Sequence, residues 1–460
     1  MKILLFISII FFNNFGAYSQ SGILSPQFEK IRKSYVKNDF YTKNVTNAVT
    51  NNAIKDLALN RQNIGKFDHE FKYKVNVKGI CNQKQSGRCW MFTSMSILRY
   101  KTISKYDLSG FEFSHNYLYF WDMFEKANTF PDIIIKNKKL SDEEAEIRRL
   151  YSAGINDGGA WNYFVNLSLK YGLVPKEIMP ETKQSENTGA MIAIINEKLR
   201  EYAIKIRENK TKSDAELNDM KILMLSEIYR ILAICLGEPP TSFEWRFPAK
   251  TGANEMKTFT PIEFMNETVE NPLLNDYVMF IDDPSREYYK LYEKEDDSNL
   301  SGGLNWTFIN LPVDVIKPFA LASIKDNEAM YFSCDVGKQL NIDAGLLDLE
   351  NYDYKSIFGI DFPMNKKQRI ISQQSGSSHG MALMAVDTDQ NGKTVKWQVE
   401  NSWGNTSGKN GYLTITERWF DQYMFRIVIR KEYIDPKILE ILNQKPIPVP
   451  AWNPAFMSEN

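Results

Sequence analysis

Cys89 is the residue of this 460-residue chain whose setting most invites chemistry. It closes the run Gln83-Lys84-Gln85-Ser86-Gly87-Arg88 and opens an apolar series, Trp90, Phe92, Met95, Ile97 and Leu98, at helical spacing. Gly87 is read as the tight turn before the helix. That places Cys89 at a helix N-terminus, where the dipole favours negative charge and a thiol ionises more readily. Gln83 lies six positions earlier (89 − 83), far enough for a turn to bring its amide back beside the sulfur. A glutamine NH2 and the Cys89 N–H would together stabilise an oxyanion. A Cys beside a Trp is more often a small buried hydrophobe, so the reading depends on finding a base.

The chain has three histidines, His69, His115 and His379. His69 lies in a charged stretch, Phe67 to Glu70, that reads as exposed. His115 follows Ser114, a natural helix N-cap; both histidines read as structural or solvated. His379 follows the small polar run Ser375 to Ser378 and precedes the strand-like Met381 to Val386. Twenty-two residues on (401 − 379), Asn401 ends another strand-like run in Glu400-Asn401-Ser402-Trp403-Gly404. Asn401 can accept the imidazole N–H and aim the ring at sulfur, and Trp403 can shield that bond from water. Cys89, His379, Asn401 and Gln83 together make acyl transfer through a thioester the indicated chemistry. No cofactor is required. The sequence has no CxxC, HExxH, GxGxxG or phosphate-loop pattern, so no metal site is expected.

These motifs, in this order, resemble papain-like cysteine peptidases. The form Gln-Lys-Gln-Ser-Gly-Arg-Cys-Trp is similar to the bleomycin hydrolase, or aminopeptidase C, branch, as is the long interval from Cys89 to His379. Asp157-Gly158-Gly159-Ala160-Trp161, Lys170 to Lys176, Thr260 to Phe264, Cys334 to Lys338 and Pro450 to Pro454 extend the resemblance over nearly the whole chain. It implies a cysteine aminopeptidase acting on peptides. It also implies a turn at Asp157, Gly158 and Gly159 that pairs with the substrate main chain, and a homohexamer. The terminal carboxylate, on Asn460, would meet the substrate's free amino group. Ala455 to Asn460 are bulkier than the family's usual ending. Two other functions stay open here: an endopeptidase of the same fold, and an inactive binding or scaffold protein.

The elements needed to position these groups read as α+β, a papain-like pair of lobes with a helical insertion and a C-terminal tail. Residues 1–19 read as a secretory signal: Lys2, a run from Ile3 to Phe12 that is apolar except for Ser8, and small residues at Ala17 and Ser19, with a cut before Gln20. A 20–75 arm follows, then a helical lobe over 76–185. An insertion over 186–325 holds helices at Met191 to Arg207 and Ala215 to Leu236, with Ser213 as a cap and a solvated charge run, Glu293 to Asp297. The β-rich lobe spans 326–430, with strands at Ala329–Asp335, Met381–Val386, Val395–Glu400, Gly411–Ile415 and Arg426–Arg430. In 431–460 a helix around Ile438 to Leu442 gives way to an extended stretch rich in proline, anchored by Trp452.

The bulk properties are those of an ordinary folded protein: 43% hydrophobic, 25% charged, formal charge −1. That balance supports neither a nucleic-acid nor a membrane partner. The four cysteines do not suggest a disulfide scaffold. Cys235 reads as buried in a helix, and Cys81 as either paired or free. The signal implies a secreted or periplasmic protein.

Overall fold

The computed structural model describes residues 22–23, 25–35, 39–76, 79–247, 255–269, 276–294 and 298–450. The proposed signal, Trp452 and Asn460 therefore lie outside the described residues. The chain divides into two compact units, one of 1–59 with 353–360, the other of 60–352 with 361–460.

The smaller unit contains helices Ser25–Ser34, Phe40–Asn51, Ile54–Ala58 and Tyr354–Phe358. Asp39 caps the second, its carboxylate accepting Thr42 N–H at 2.8 Å. The Tyr41 hydroxyl donates to Ser356 O, and Asp353 N–H to Ala58 O at 2.8 Å.

Everything that positions the site belongs to the larger unit. Its spine is a twelve-stranded mixed sheet. The central strands are Met424–Arg430, Met330–Cys334, His379–Thr388, Thr394–Glu400 and Tyr412–Thr416, each antiparallel to the next. These five are the strands expected from β-branched and aromatic runs, each within a few residues of the expected limits. Their burial is nearly continuous, because helices cover the sheet.

The sheet does not stop at residue 326, where the insertion was expected to end. Tyr277–Ile281, Lys290–Lys294 and Trp306–Asn310 continue it beyond Met424–Arg430. Glu293 and Lys294 are thus strand residues rather than part of a solvated run; Lys294 is 9% exposed, its ammonium over the Trp306 ring. The proline-rich segment also joins. Ile447–Val449 pairs in parallel with Tyr292 to Lys294, as an edge strand, where a proline's missing N–H is tolerated. Before it, the expected helix is a single turn, Pro436–Leu439, followed by a 3-10 turn, Glu440–Asn443.

The helical side is built on Cys89–Lys105 and His115–Lys136. Ser114 caps the latter, accepting Tyr117 N–H at 3.0 Å. Gly189–Glu208 and Asp214–Leu236 pack on it, the latter started by a capping box between Ser213 and Glu216. Cys235 is half-buried there, not buried: only one stripe of this helix faces the core. None of Cys81, Cys89, Cys235 and Cys334 is in a disulfide. Among the described residues no helix is long and apolar enough to cross a membrane.

Candidate active site

Cys89 is the first residue of its helix, and fully buried. The loop before it is a closed unit. Asn82 Oδ1 accepts Lys84 N–H at 2.9 Å, a side-chain turn that holds Lys84 at φ 55°. The left-handed residue is therefore Lys84, not Gly87. Gly87 instead donates its N–H to Asp157 Oδ2 at 2.7 Å. Gln85 pairs with the next segment, its N–H reaching Glu186 O at 3.0 Å.

Arg88 had no role in the sequence reading, yet it anchors this loop. It is fully buried. Its Nη2 donates to Glu181 Oε2 at 2.8 Å and Ser185 O at 2.7 Å, and its plane lies near the rings of Phe92 and Tyr119. A fixed cation thus sits one residue before the thiol, and its planar fork fixes direction as well as distance.

The sheet supplies the other half. Strand His379–Thr388 passes beside the nucleophile helix, and Gly380 N–H lies 3.5 Å from Cys89 Sγ. That contact closes a separation of 291 residues. His379 is 1% exposed and opens the strand, opposite Cys334. Its Nε2 is 2.8 Å from Asn401 Oδ1. The amide's orientation is fixed independently: the same oxygen accepts Ser402 N–H at 2.7 Å, and a backbone N–H can only donate. Nε2 must then carry the proton it gives to Asn401, leaving Nδ1 as the ring's basic nitrogen. Trp403 stacks on the imidazole with centroids 4.8 Å apart.

Gln83 is 4% exposed and held from three directions. Its backbone N–H donates to Ser402 O at 2.7 Å, its Oε1 accepts the Ser402 hydroxyl at 2.5 Å, and its Nε2 donates to Ser86 O at 2.6 Å. With the oxygen taken by a hydroxyl, the NH2 end has one further hydrogen to offer. Ser402 is a second residue to which sequence reasoning gave no role. Only its place between Asn401 and Trp403 could have drawn attention to it.

The Asp157-Gly158-Gly159 turn is placed beside the loop, with the Asp157 carboxylate turned toward Gly87 and Gly159 packed on Trp90. Asp157 Oδ2 takes Gly87 N–H and, at 2.6 Å, the Thr188 hydroxyl, while Asp157 O accepts the Trp90 indole N–H at 2.9 Å. A Cβ on Gly159 would fall 2.5 Å from the Trp90 ring. The close neighbour that demands glycine at 159 is therefore Trp90. Gly404 is constrained in the same way, at φ 80° with Asn82 Nδ2 2.6 Å from where a Cβ would stand.

The other histidines are apart from this cluster. His115 is 2% exposed and stacked on Phe92 at 3.7 Å; burial, then Arg88, pushes its pKa well below the usual value. His69 is half-buried rather than exposed, with Nδ1 2.8 Å from the Thr414 hydroxyl. Cys81 is buried, and burial pushes its thiol up to about 12, which keeps it protonated. Among the described residues no group of three or more His, Cys, Asp or Glu could hold a metal ion.

The chain matches the model of the peptidase C1-like family over residues 23–456. It belongs to that family. Bleomycin hydrolase of Rattus norvegicus is 37% identical over 422 residues, covering 89% of this chain and 93% of its own. Aminopeptidase C of Lactococcus lactis subsp. cremoris is 36% identical, covering 94% and 98%. The crystal structure of PepW from Lactobacillus rhamnosis superposes with a TM-score of 0.89 at 32% identity, covering 95% of this chain and 99% of that one. The peptidase thus shares its whole fold, not one lobe, with this branch, in keeping with the papain-like α+β architecture expected from the sequence.

Proposed function

We propose that this peptidase is a cysteine aminopeptidase, releasing residues from peptides with a free N-terminus. The observation that carries the chemistry is the chain Ser402 N–H, Asn401 Oδ1, His379 Nε2, because it fixes the tautomer a base requires. The relatives named aminopeptidase C and bleomycin hydrolase support the substrate class.

In the proposed reaction His379 Nδ1 takes the Cys89 proton, giving a thiolate and an imidazolium held by Asn401. The thiolate attacks the scissile carbonyl carbon. Gln83 Nε2 and the Cys89 N–H stabilise the oxyanion. The imidazolium then protonates the leaving amine, and the thioacyl-enzyme forms. A water deprotonated by His379 attacks that thioester, releasing the acid and regenerating the thiol. Gly158 and Gly159 are proposed to line the substrate's path, with Asp157 bracing the loop rather than touching substrate.

Three further features belong to the same proposal: export after cleavage between Ser19 and Gln20, assembly as a homohexamer, and an amine-binding carboxylate at Asn460. Each rests on the sequence pattern or on resemblance.

The test compares aminoacyl fluorogenic substrates with their N-blocked counterparts. Turnover of the free forms alone is expected, and its loss in Cys89→Ala. Equal rates on blocked forms would indicate an endopeptidase, and activity surviving in Cys89→Ala would reject the mechanism.

A further inference from the structure

Three segments carry the site: the loop containing Gln83, the helix that Cys89 opens, and the strand that delivers Asn401. One buried side chain joins all three. Arg99 stands on the Cys89–Lys105 helix and is 2% exposed. Its Nη2 donates to both oxygens of Glu400, at 2.8 and 3.0 Å, and to Gly79 O at 3.0 Å. Its Nη1 donates to Cys81 Sγ at 3.0 Å. Glu400, 4% exposed, ends the Thr394–Glu400 strand and immediately precedes Asn401. Cys81 O in turn accepts Gly404 N–H at 3.1 Å, and Asn82 bridges to Trp403.

We infer that Arg99 and Glu400 are positioning residues for the proposed reaction, their buried ion pair setting the Asn401 strand and the Gln83 loop in register on the nucleophile helix. The inference rests on the proposed function.

Stability alone is a poor account of this pair. Withdrawing two charges from water is costly, and replacing such a pair by apolar side chains of similar volume is often neutral or stabilising. What the pair supplies that apolar groups cannot is directed geometry, since the planar guanidinium fixes angles to several acceptors at once. Asn401 has need of it. Its Nδ2 is buried with no partner among the described residues, so no contact of the amide nitrogen fixes where the side chain stands. Its oxygen is held by the adjacent Ser402 N–H at 2.7 Å, so its place follows from the local backbone, through Asn401 N–H to Gly411 O at 3.0 Å, and from Glu400 next to it. Any slip of Glu400 along the helix therefore passes directly into the 2.8 Å bond between Asn401 and His379. The reach of Arg99 to Gly79 and Cys81 passes the same constraint to the loop that holds Gln83.

The deciding variant is the full-length double substitution Arg99→Met/Glu400→Met, which removes both charges and leaves neither unpaired. It should fold with a melting midpoint near that of the parent. On a free aminoacyl substrate its kcat should fall by about 10- to 100-fold, the scale of a misplaced catalytic group, with KM changed less than about twofold. Arg99→Lys keeps the charge but loses the fork; it should restore part of the lost kcat and no more. A folded double variant with kcat within about threefold of the parent overturns the inference, as does full activity in Arg99→Lys. Should the double variant not fold, Arg99→Lys alone decides by the same threefold criterion. Cys89→Ala assayed alongside separates the two levels: activity surviving there rejects the function and this inference with it. Loss there, with a fully active double variant, rejects only the positioning role.

Discussion

His115 shows what burial does to a titratable group in this protein. It is stacked on Phe92 of the nucleophile helix, its Nε2 buried without a partner, and its pKa depressed by burial and by Arg88. The folded state therefore holds it neutral, while the unfolded chain protonates it below a pH of about 6.5. Stability from this group is complete above that value and is lost as pH falls, by up to about 1.4 kcal/mol per unit, until the folded pKa is reached. His115→Phe should flatten that acid limb in urea melts between neutral and mildly acidic pH; unchanged slopes would contradict the assignment. Gly159→Ala should strain the Trp90 contact and destabilise by about 1–3 kcal/mol, read as a lower melting midpoint, with lowered kcat. Gln83→Ala should lower kcat by about 10²–10³ with little change in KM. The types and order of Cys89, His379, Asn401 and Gln83 were legible in the sequence because chemistry restricts which residues can serve. Arg88 and Ser402 were not, since their work is done through contacts with Glu181 and Gln83 that no spacing reveals.

Among the elements, those with local signals were the readable ones. The Asp214–Leu236 helix has its start written in Ser213 and Glu216, each bonding the other's backbone N–H. Ser213→Ala should cost about 0.5–2 kcal/mol in thermal unfolding and leave the kcat of folded enzyme unaltered. The strands at Tyr277–Ile281, Lys290–Lys294 and Trp306–Asn310 had weaker local signals. Five residues apiece, with Lys and Glu interspersed in the second, they take their conformation from pairing with distant partners such as Met424–Arg430. Ile447–Val449 was hidden by its proline, which forbids a central strand but not an edge. In each case the sequence recorded the residue's local preference and not the partner that overrode it.

For the whole molecule, the proposed gate at the C-terminus has a direct test. Deleting 455–460 should lower the rate on free aminoacyl substrates and raise that on N-blocked peptides. An unaltered ratio would remove the tail from the specificity argument while leaving the Cys89 chemistry in place. Export predicts a mature N-terminus at Gln20 by mass spectrometry, and an intact Met1 would reject it. The two-part division of labour, helix for the thiol and sheet for the base, was legible from motif order. The continuity of the sheet from residue 277 onward was not, because it is a property of pairing across the chain.

That continuity bears on how the protein is made. The strand bearing His379 lies next to Met330–Cys334, whose other neighbour is Met424–Arg430, and the outermost edge is closed by Ile447–Val449. A ribosome delivers Cys89 early, but the base and its support only near the end of translation. Contacts so distant in the chain form slowly. On the proposed mechanism a nascent chain holds its nucleophile long before its base, so cleavage of other polypeptides is expected only once translation is nearly complete.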